Sequence, residues 1–299
     1  MKNKVDLFLD SGAFSAWTQK VQIDIQEYIA FIKAHEEVIE VYANLDAIGD
    51  PVKTWKNQKI MEKVGLTPLP TLHYGVDEKW IKRYLKLGYE YLALGGMVPI
   101  STDQLIPWLD WMFSEFFTDK DGLPIIKIHG FGLTSLPLML RYPWYSVDST
   151  SWVITGRMGS IYMPRFRSGE WIYDENSWKI AVSNRSPNMK EKNKHFTTMS
   201  EGEQQQVLNY MKSKGYQMGK SVFEKVPQSH VLQKNERWAD KKPKDKTILR
   251  ELEIMEEEGI CNRYQLRDEM NIIYFLDLEK SMPEWPWPFK KQGISGLGL

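Results

Sequence analysis

The chain has 299 residues, 42% of them apolar and 26% charged, which is an ordinary globular composition long enough for one barrel-sized domain. No apolar run reaches the roughly 18 residues of a membrane helix, and the N-terminal MKNKVDLFLDSG meets an aspartate too early for a signal peptide. The single cysteine, Cys261, excludes an internal disulfide and a multi-cysteine zinc cluster. A soluble cytoplasmic protein with no membrane partner is expected.

The formal net charge of zero is unevenly spread. Residues 1–150 carry 15 basic and 19 acidic side chains, residues 151–250 carry 19 and 10, and residues 251–299 carry 5 and 10. The basic excess is confined to the middle block, which includes Arg157, Arg165, Arg167, Arg185, Lys190, Lys192 and Lys194. Such a block fits a phosphate-facing surface; a solvated basic face without a partner fits the charge equally. The 12 tryptophans and 14 tyrosines suit core and helix packing, with a minority available to stack on bases.

In chain order, six short apolar runs each stop at a polar or glycine-rich corner: VDLFLDSG, VYANLDAIGD, LPTLHYG, YLALGG, IIKIHGFG and YSVDSTS. Strands of a parallel sheet covered on both faces look like this, with polar residues only at their ends. Between them, residues 25–37, 52–63, 77–87 and 103–117 have helical spacing, and Gly65 and Gly88 stand where C-terminal glycine caps belong. Alternating strands and helices make βαβ units. The expected fold is α/β, a (β/α)8 TIM barrel with a small antiparallel insertion and C-terminal helices. Residues 1–150 supply the first six βα units of a single domain spanning 1–299.

After Asp148 the pattern changes. IYMPRF, EWIYD and WKIAVSN, separated by the turn signals RSGE and DENS, read as an antiparallel insertion over 151–199. Residues 200–299 are assigned to the remaining barrel and C-terminal helices. Helix is expected over 200–214 and 246–277, with Glu256, Glu257 and Glu258 facing solvent. Residues 226–246 read as a loop and the tail GISGLGL as flexible.

In a barrel of this kind the active site collects residues from the carboxyl ends of several strands. The corners bring Asp10, Asp46, His73, Gly95, Gly96, His129 and Asp148. Asp10, in DSGAFS, is a general acid/base or a cap for the next helix. Asp148, beside small hydroxyls, has the makings of a nucleophile; two carboxylates facing one sugar carbon suit displacement at a glycosidic bond. Asp46 either reads the N1 and amino edge of guanine or caps the helix after Asp50-Pro51. Gly95 and Gly96 offer open backbone to a planar ligand, or make a tight turn. His73 and His129 read as hydrogen-bonding residues lining the site more readily than as metal ligands.

These corners, in this order, resemble the signature corners of the tRNA-guanine transglycosylase superfamily. DSGAFS, NLDAIGDP, LHYG, YLALGGM, KIHGFG and VDSTSW followed by TGRMGS carry the resemblance, over roughly residues 5–185. It implies that Asp148 is the nucleophile that attacks C1′ and expels guanine, and that Asp10 is the general acid/base as an incoming 7-deazaguanine displaces the enzyme. It further implies that Asp46, Gly95 and Gly96 contact the base, with Ser11, Gly12, His73, Met97, His129 and Gly130 around it. Arg157 falls where the family has an arginine near the nucleic-acid backbone, and Arg165, Arg167 and Arg185 join it as nucleic-acid candidates.

The departures from the family narrow the expectation. His73 replaces a base-reading glutamine, His129 replaces a hydrophobic pocket residue, and the three cysteines of the tRNA enzymes' structural zinc site are missing. That combination is similar to the compact DNA-modifying branch, which exchanges guanine in DNA for a 7-deazaguanine such as preQ0. The expected partners are DNA and a 7-deazaguanine base, with no cofactor and no metal, and a second copy or an accessory protein is possible. A tRNA substrate is the alternative. Two further alternatives are a metal-dependent barrel hydrolase using His73, His129, Asp46 and Asp148, and a non-catalytic nucleic-acid-binding paralogue.

Overall fold

The computed structural model describes residues 7–186, 189–245 and 247–289, and it is a mixed α/β structure with parallel sheets. The tail GISGLGL lies outside the described residues. Among the described residues two compact units are distinguished, 7–149 with 283–289, and 150–282.

In the first unit, strands and helices alternate. They are β1 (Leu7–Leu9), α1 (Ala13–Gln19), α2 (Ile25–Ala34), β2 (Ile39–Tyr42), α3 (Pro51–Lys63), β3 (Thr71–His73), α4 (Glu78–Lys86) and β4 (Tyr91–Gly95). Then follow α5 (Thr102–Met112), running into a π-helical turn at Phe113–Phe117, β5 (Lys127–Gly130), α6 (Leu136–Arg141) and β6 (Ser146–Val147). Three of these helices, α2, α3 and α4, start where an aspartate takes up free backbone N–H groups. Asp24 accepts from Gln26 and Glu27, Asp50 from Lys53, and Asp77 from Lys79. Gly65 and Gly88 end α3 and α4 at φ +86° and +79°, as their position in sequence requires.

β1 pairs in parallel with β2, and β3, β4, β5 and β6 form a parallel sheet in chain order. A parallel bridge between Ala43 and Leu69 links β2 to the chain entering β3. Such a sheet laid flat would separate β1 from β5 by roughly 19 Å, four strand spacings. Instead the Phe8 ring of β1 stacks on the His129 ring of β5 with centroids 4.3 Å apart. The sheet is therefore rolled, and the two strands meet across its concave face. Leu92, Ala93, Leu94 and Ile128 are buried along its middle.

The second unit holds α7 (Ser151–Arg157), β7 (Ser160–Met163), β8 (Arg165–Arg167), β9 (Glu170–Ile172) and β10 (Trp178–Ala181). After these come a 3-10 turn at Phe196–Thr198, α8 (Glu201–Ser213), β11 (Lys220–Val226), β12 (Glu236–Trp238), β13 (Arg250–Glu257) and α9 (Tyr264–Ser281). β7 pairs antiparallel with β10, Ile161 opposite Ile180. β8 and β9 make a hairpin whose turn residues, Ser168 and Gly169, both have positive φ, the backbone that matches strand twist. Ile161, Met163, Ile180, Val207, Tyr210, Met211, Ile260 and Met270 form the core of this unit.

Two expectations from sequence are corrected here. Residues 250–257 are strand β13, where helix was expected, and β12 lies inside the expected loop 226–246. Glutamate's helical propensity hid the alternation in RELEIMEE. The segment is the central strand of a sheet ordered β11-β13-β12, and Glu253 is fully buried there against Arg237 and Ser221. Among the described residues, no helix is long and apolar enough to cross a membrane.

Candidate active site

The first unit brings the sequence-predicted acids and histidines to the carboxyl ends of its parallel strands. After β2, Asp46 accepts a hydrogen bond from Ser11 Oγ at Oδ1 (2.8 Å), and its Oδ2 lies 2.8 Å from Nε2 of His73 at the end of β3. Asp50, not Asp46, caps α3, so Asp46 is left for the site. Ser11 is buried and also accepts from the Ala13 N–H, which ties the DSG corner to the start of α1. Gly12 is the residue before α1, in the left-handed region at φ +73°.

The glycine pair has a local cause. His73 and Gly95 are register partners on β3 and β4. A Cβ on Gly95 would sit 3.4 Å from the His73 ring, and one on Gly96, at φ +66°, 3.3 Å from His73 Cβ. The glycines let the backbone close over His73. Gly130 is similarly packed, since a Cβ there would crowd Leu133 and Trp144, and Met97 is buried beside the glycine pair.

At the end of β6, Asp148 accepts the Gly132 N–H at Oδ1 (2.8 Å), and Nε2 of His129 stands 3.6 Å from the same oxygen. His129 is almost fully buried, and its Nδ1 lies 2.7 Å from Ser146 Oγ, itself 2.6 Å from the Tyr91 hydroxyl. Burial pushes the Tyr91 phenol pKa up. The His129 ring is stacked on one face by Phe8 and met edge-on at 4.5 Å by Phe131, and the two phenylalanines also touch each other edge-on at 5.9 Å.

Asp10 follows β1 on the face that carries Phe8, two residues earlier, because strand side chains alternate. Its carboxyl accepts the Gly12 N–H at 3.3 Å and does not cap α1. The carboxyl is held above the ordinary aspartate range. Loss of water is the main cause, the Gly12 hydrogen bond opposes it, and the nearby charges of Asp148 and Asp46 add to it. The residue as a whole is exposed, so water screens that repulsion in part. Three carboxylates from β1, β2 and β6 thus share one rim. Tyr28, on α2, is buried beneath it, donates to the Ala43 carbonyl, and is pushed up in pKa by burial and by Asp10 and Asp46.

The four candidate nucleic-acid-binding arginines belong to the second unit and are spread over α7, β8 and the loop after β10. Arg157 is exposed in the last turn of α7. Arg165 donates to the Asn176 carbonyl and covers the Trp178 ring at 4.8 Å. Arg167 pairs with Glu175 at 2.8 Å, and Arg185, after β10, donates to the Ala239 carbonyl. Among the described residues no three His, Cys, Asp or Glu side chains are arranged to hold a metal ion.

Sequence reasoning did not assign roles to Ser146, Tyr91, Gly132, Phe8 or Phe131. A signal for Ser146 was present: it precedes Asp148 by two residues in the same strand run, the spacing that puts two side chains on one face. Its pairing with His129 follows from the register of β5 and β6, which only the folded sheet defines.

Comparison with protein-family models, with curated proteins and with solved structures finds no match to this chain.

Proposed function

We propose that this chain is a base-exchange transglycosylase that replaces guanine in DNA with a 7-deazaguanine such as preQ0, through a covalent intermediate on Asp148. The observation that carries the reading is the stacking of Phe8 on His129, which brings the strand end bearing Asp10 toward the one bearing Asp148, two carboxyl groups in unlike environments. Asp148 is tied by a backbone N–H and lies beside an imidazole, whereas the Asp10 pKa is raised, partly by the Asp148 charge. Two carboxyl groups held in different environments divide nucleophile from proton carrier.

In the first step a carboxylate oxygen of Asp148 bonds to C1′ as the C1′–N9 bond breaks, and the departing guanine takes the proton that Asp10 carries. In the second, Asp10 removes the corresponding ring N–H proton of the incoming 7-deazaguanine as that nitrogen bonds to C1′ and releases Asp148. No other reactant is needed. Asp46 would accept from the base's N1 and amino group, beside its bonds to Ser11 and His73 or in place of them.

The rolled parallel sheet, with β1 against β5, supports reading the first unit as part of a (β/α)8 barrel. A guanine inside a duplex must be flipped out to reach such a rim, at a cost of a few kcal/mol. The basic excess of residues 151–250 supports a nucleic-acid strand as the means of repayment.

The test offers the purified protein DNA and tRNA side by side, with labelled guanine and labelled preQ0, and looks for a denaturation-resistant protein–nucleic acid adduct. Label entering DNA, with an adduct that Asp148→Asn abolishes, is the expected result. Label in tRNA alone would transfer the activity to tRNA. No label in either would end the transglycosylase reading.

A further inference from the structure

We propose that His129 is a positioning residue for Asp148: its Nε2–H holds Oδ1, so that Oδ2 is the oxygen presented to the reacting carbon. The proposal rests on the transglycosylase reading above. Its basis is a chain of side chains, Tyr91 to Ser146 to His129 to Asp148, with separations of 2.6, 2.7 and 3.6 Å.

Each hydroxyl in that chain has one proton to give, and a neutral imidazole has one N–H. Three arrangements of a neutral ring satisfy the first two contacts. In one, Tyr91 donates to Ser146, Ser146 donates to Nδ1, and the imidazole proton sits on Nε2. In the other two, Nδ1–H donates to Ser146, which either donates to Tyr91 or accepts from it as well. Both of these would turn the Nε2 lone pair toward a carboxylate oxygen at 3.6 Å, which is repulsive. The carboxylate therefore selects the first.

The ring cannot escape this arrangement cheaply. It is 1% exposed and packed in one aromatic cluster with Phe8 and Phe131. Its Nε2 is buried without a hydrogen-bond partner at the present separation, a state that costs free energy and favours any small shift of Asp148 toward it. The Gly132 N–H already donates to Oδ1 at 2.8 Å, so both donors address one oxygen and neither addresses Oδ2. A carboxylate gripped on one oxygen has a fixed attack direction. That is worth more to a displacement at carbon than to binding the base.

Two variants and one spectrum test this. His129→Phe keeps an aromatic ring packed on Phe8 and Phe131 and deletes both nitrogens. Ser146→Ala keeps the imidazole but removes the hydroxyl that fixes its tautomer. Adduct formation is followed in single turnover on DNA, KM for preQ0 is taken from base exchange, and the tautomer of His129 is read from 15N shifts of the wild-type protein.

The expected outcome is adduct formation slowed about 100-fold in His129→Phe and about 10-fold in Ser146→Ala, with KM unchanged within about 3-fold. The 15N shifts should show the Nε2–H tautomer. Wild-type rates in both variants would overturn the proposal while leaving the transglycosylase reading standing, and so would an Nδ1–H tautomer. If the wild type forms no adduct on DNA or tRNA, the reading and the proposal fall together. Should His129→Phe fail to fold, Ser146→Ala and the spectrum decide.

Discussion

His73 Nε2 and Asp46 Oδ2 lie 2.8 Å apart, and Ser11 Oγ fills the other oxygen of the same carboxylate. A group expected to read the edge of a purine thus already accepts one hydrogen bond at each oxygen, and each oxygen keeps a further lone pair that a base would address on the proposed reading. Asp46→Asn turns one of the two acceptors into a donor that opposes the base's own donors. A loss of about 2 kcal/mol is expected, roughly 30-fold in affinity for guanine or preQ0 by calorimetry. His73→Ala leaves a mostly buried carboxylate short of a partner and should lower unfolding free energy by about 1–2 kcal/mol in urea titration.

The Asp10 carboxyl, pushed above 3.8 by burial, gives a pH signature with a definite sign. A carboxyl that binds its proton more tightly in the folded chain lowers stability once it ionises. The penalty is complete above the folded pKa and is gone once the pH falls below the ordinary value of 3.8. Asp10→Asn should therefore unfold at a higher temperature than the wild type at pH 7, and the gap should close toward pH 3.5. A gap that widens on acidification would mean that Asp10 is stabilised as the anion.

Gly156 is fixed by packing inside the second unit. A Cβ there would collide with Asp268 Oδ1, and the Gly156 carbonyl accepts from Arg267 Nε at 2.7 Å. Arg267 and Asn271, one turn apart on α9, together hold α7 and β7, since Asn271 bonds both Tyr162 N and the Trp152 carbonyl. Burial draws the Arg267 guanidinium pKa down to about 10, which marks how little water reaches this clamp. Gly156→Ala is expected to cost about 2–3 kcal/mol by overpacking, read as a lowered midpoint in denaturant.

Arg237 and Glu253 pair at 2.8 Å on β12 and β13, and the glutamate is fully buried. Arg237→Ala would strand that charge and should destabilise by about 3 kcal/mol. Replacing both residues with leucine should recover most of the loss. Equal stability of the single variant and the wild type would show that Ser221 alone satisfies the carboxylate.

The sequence was most legible where chemistry and periodicity agree. Apolar runs ending at Asp10, Asp46, His73, Gly95, His129 and Asp148 marked the parallel strands in their order, and Gly65 and Gly88 marked helix ends, because caps are decided within a few residues. It was least legible at RELEIMEE. There the local preference of glutamate for helix lost to strand pairing with partners some 15 and 30 residues earlier.

What the sequence by itself determined is the cast: which strands exist, and which acids and histidines stand at their ends. Contacts across the rolled sheet, which no local pattern encodes, assigned the pairs. Register set His73 beside Gly95 and His129 beside Ser146, and the curl brought Phe8 of the first strand onto His129 of the fifth. That curl is why Asp10 feels Asp148 at all, since residues 138 positions apart in the chain interact only when the sheet closes the distance between them.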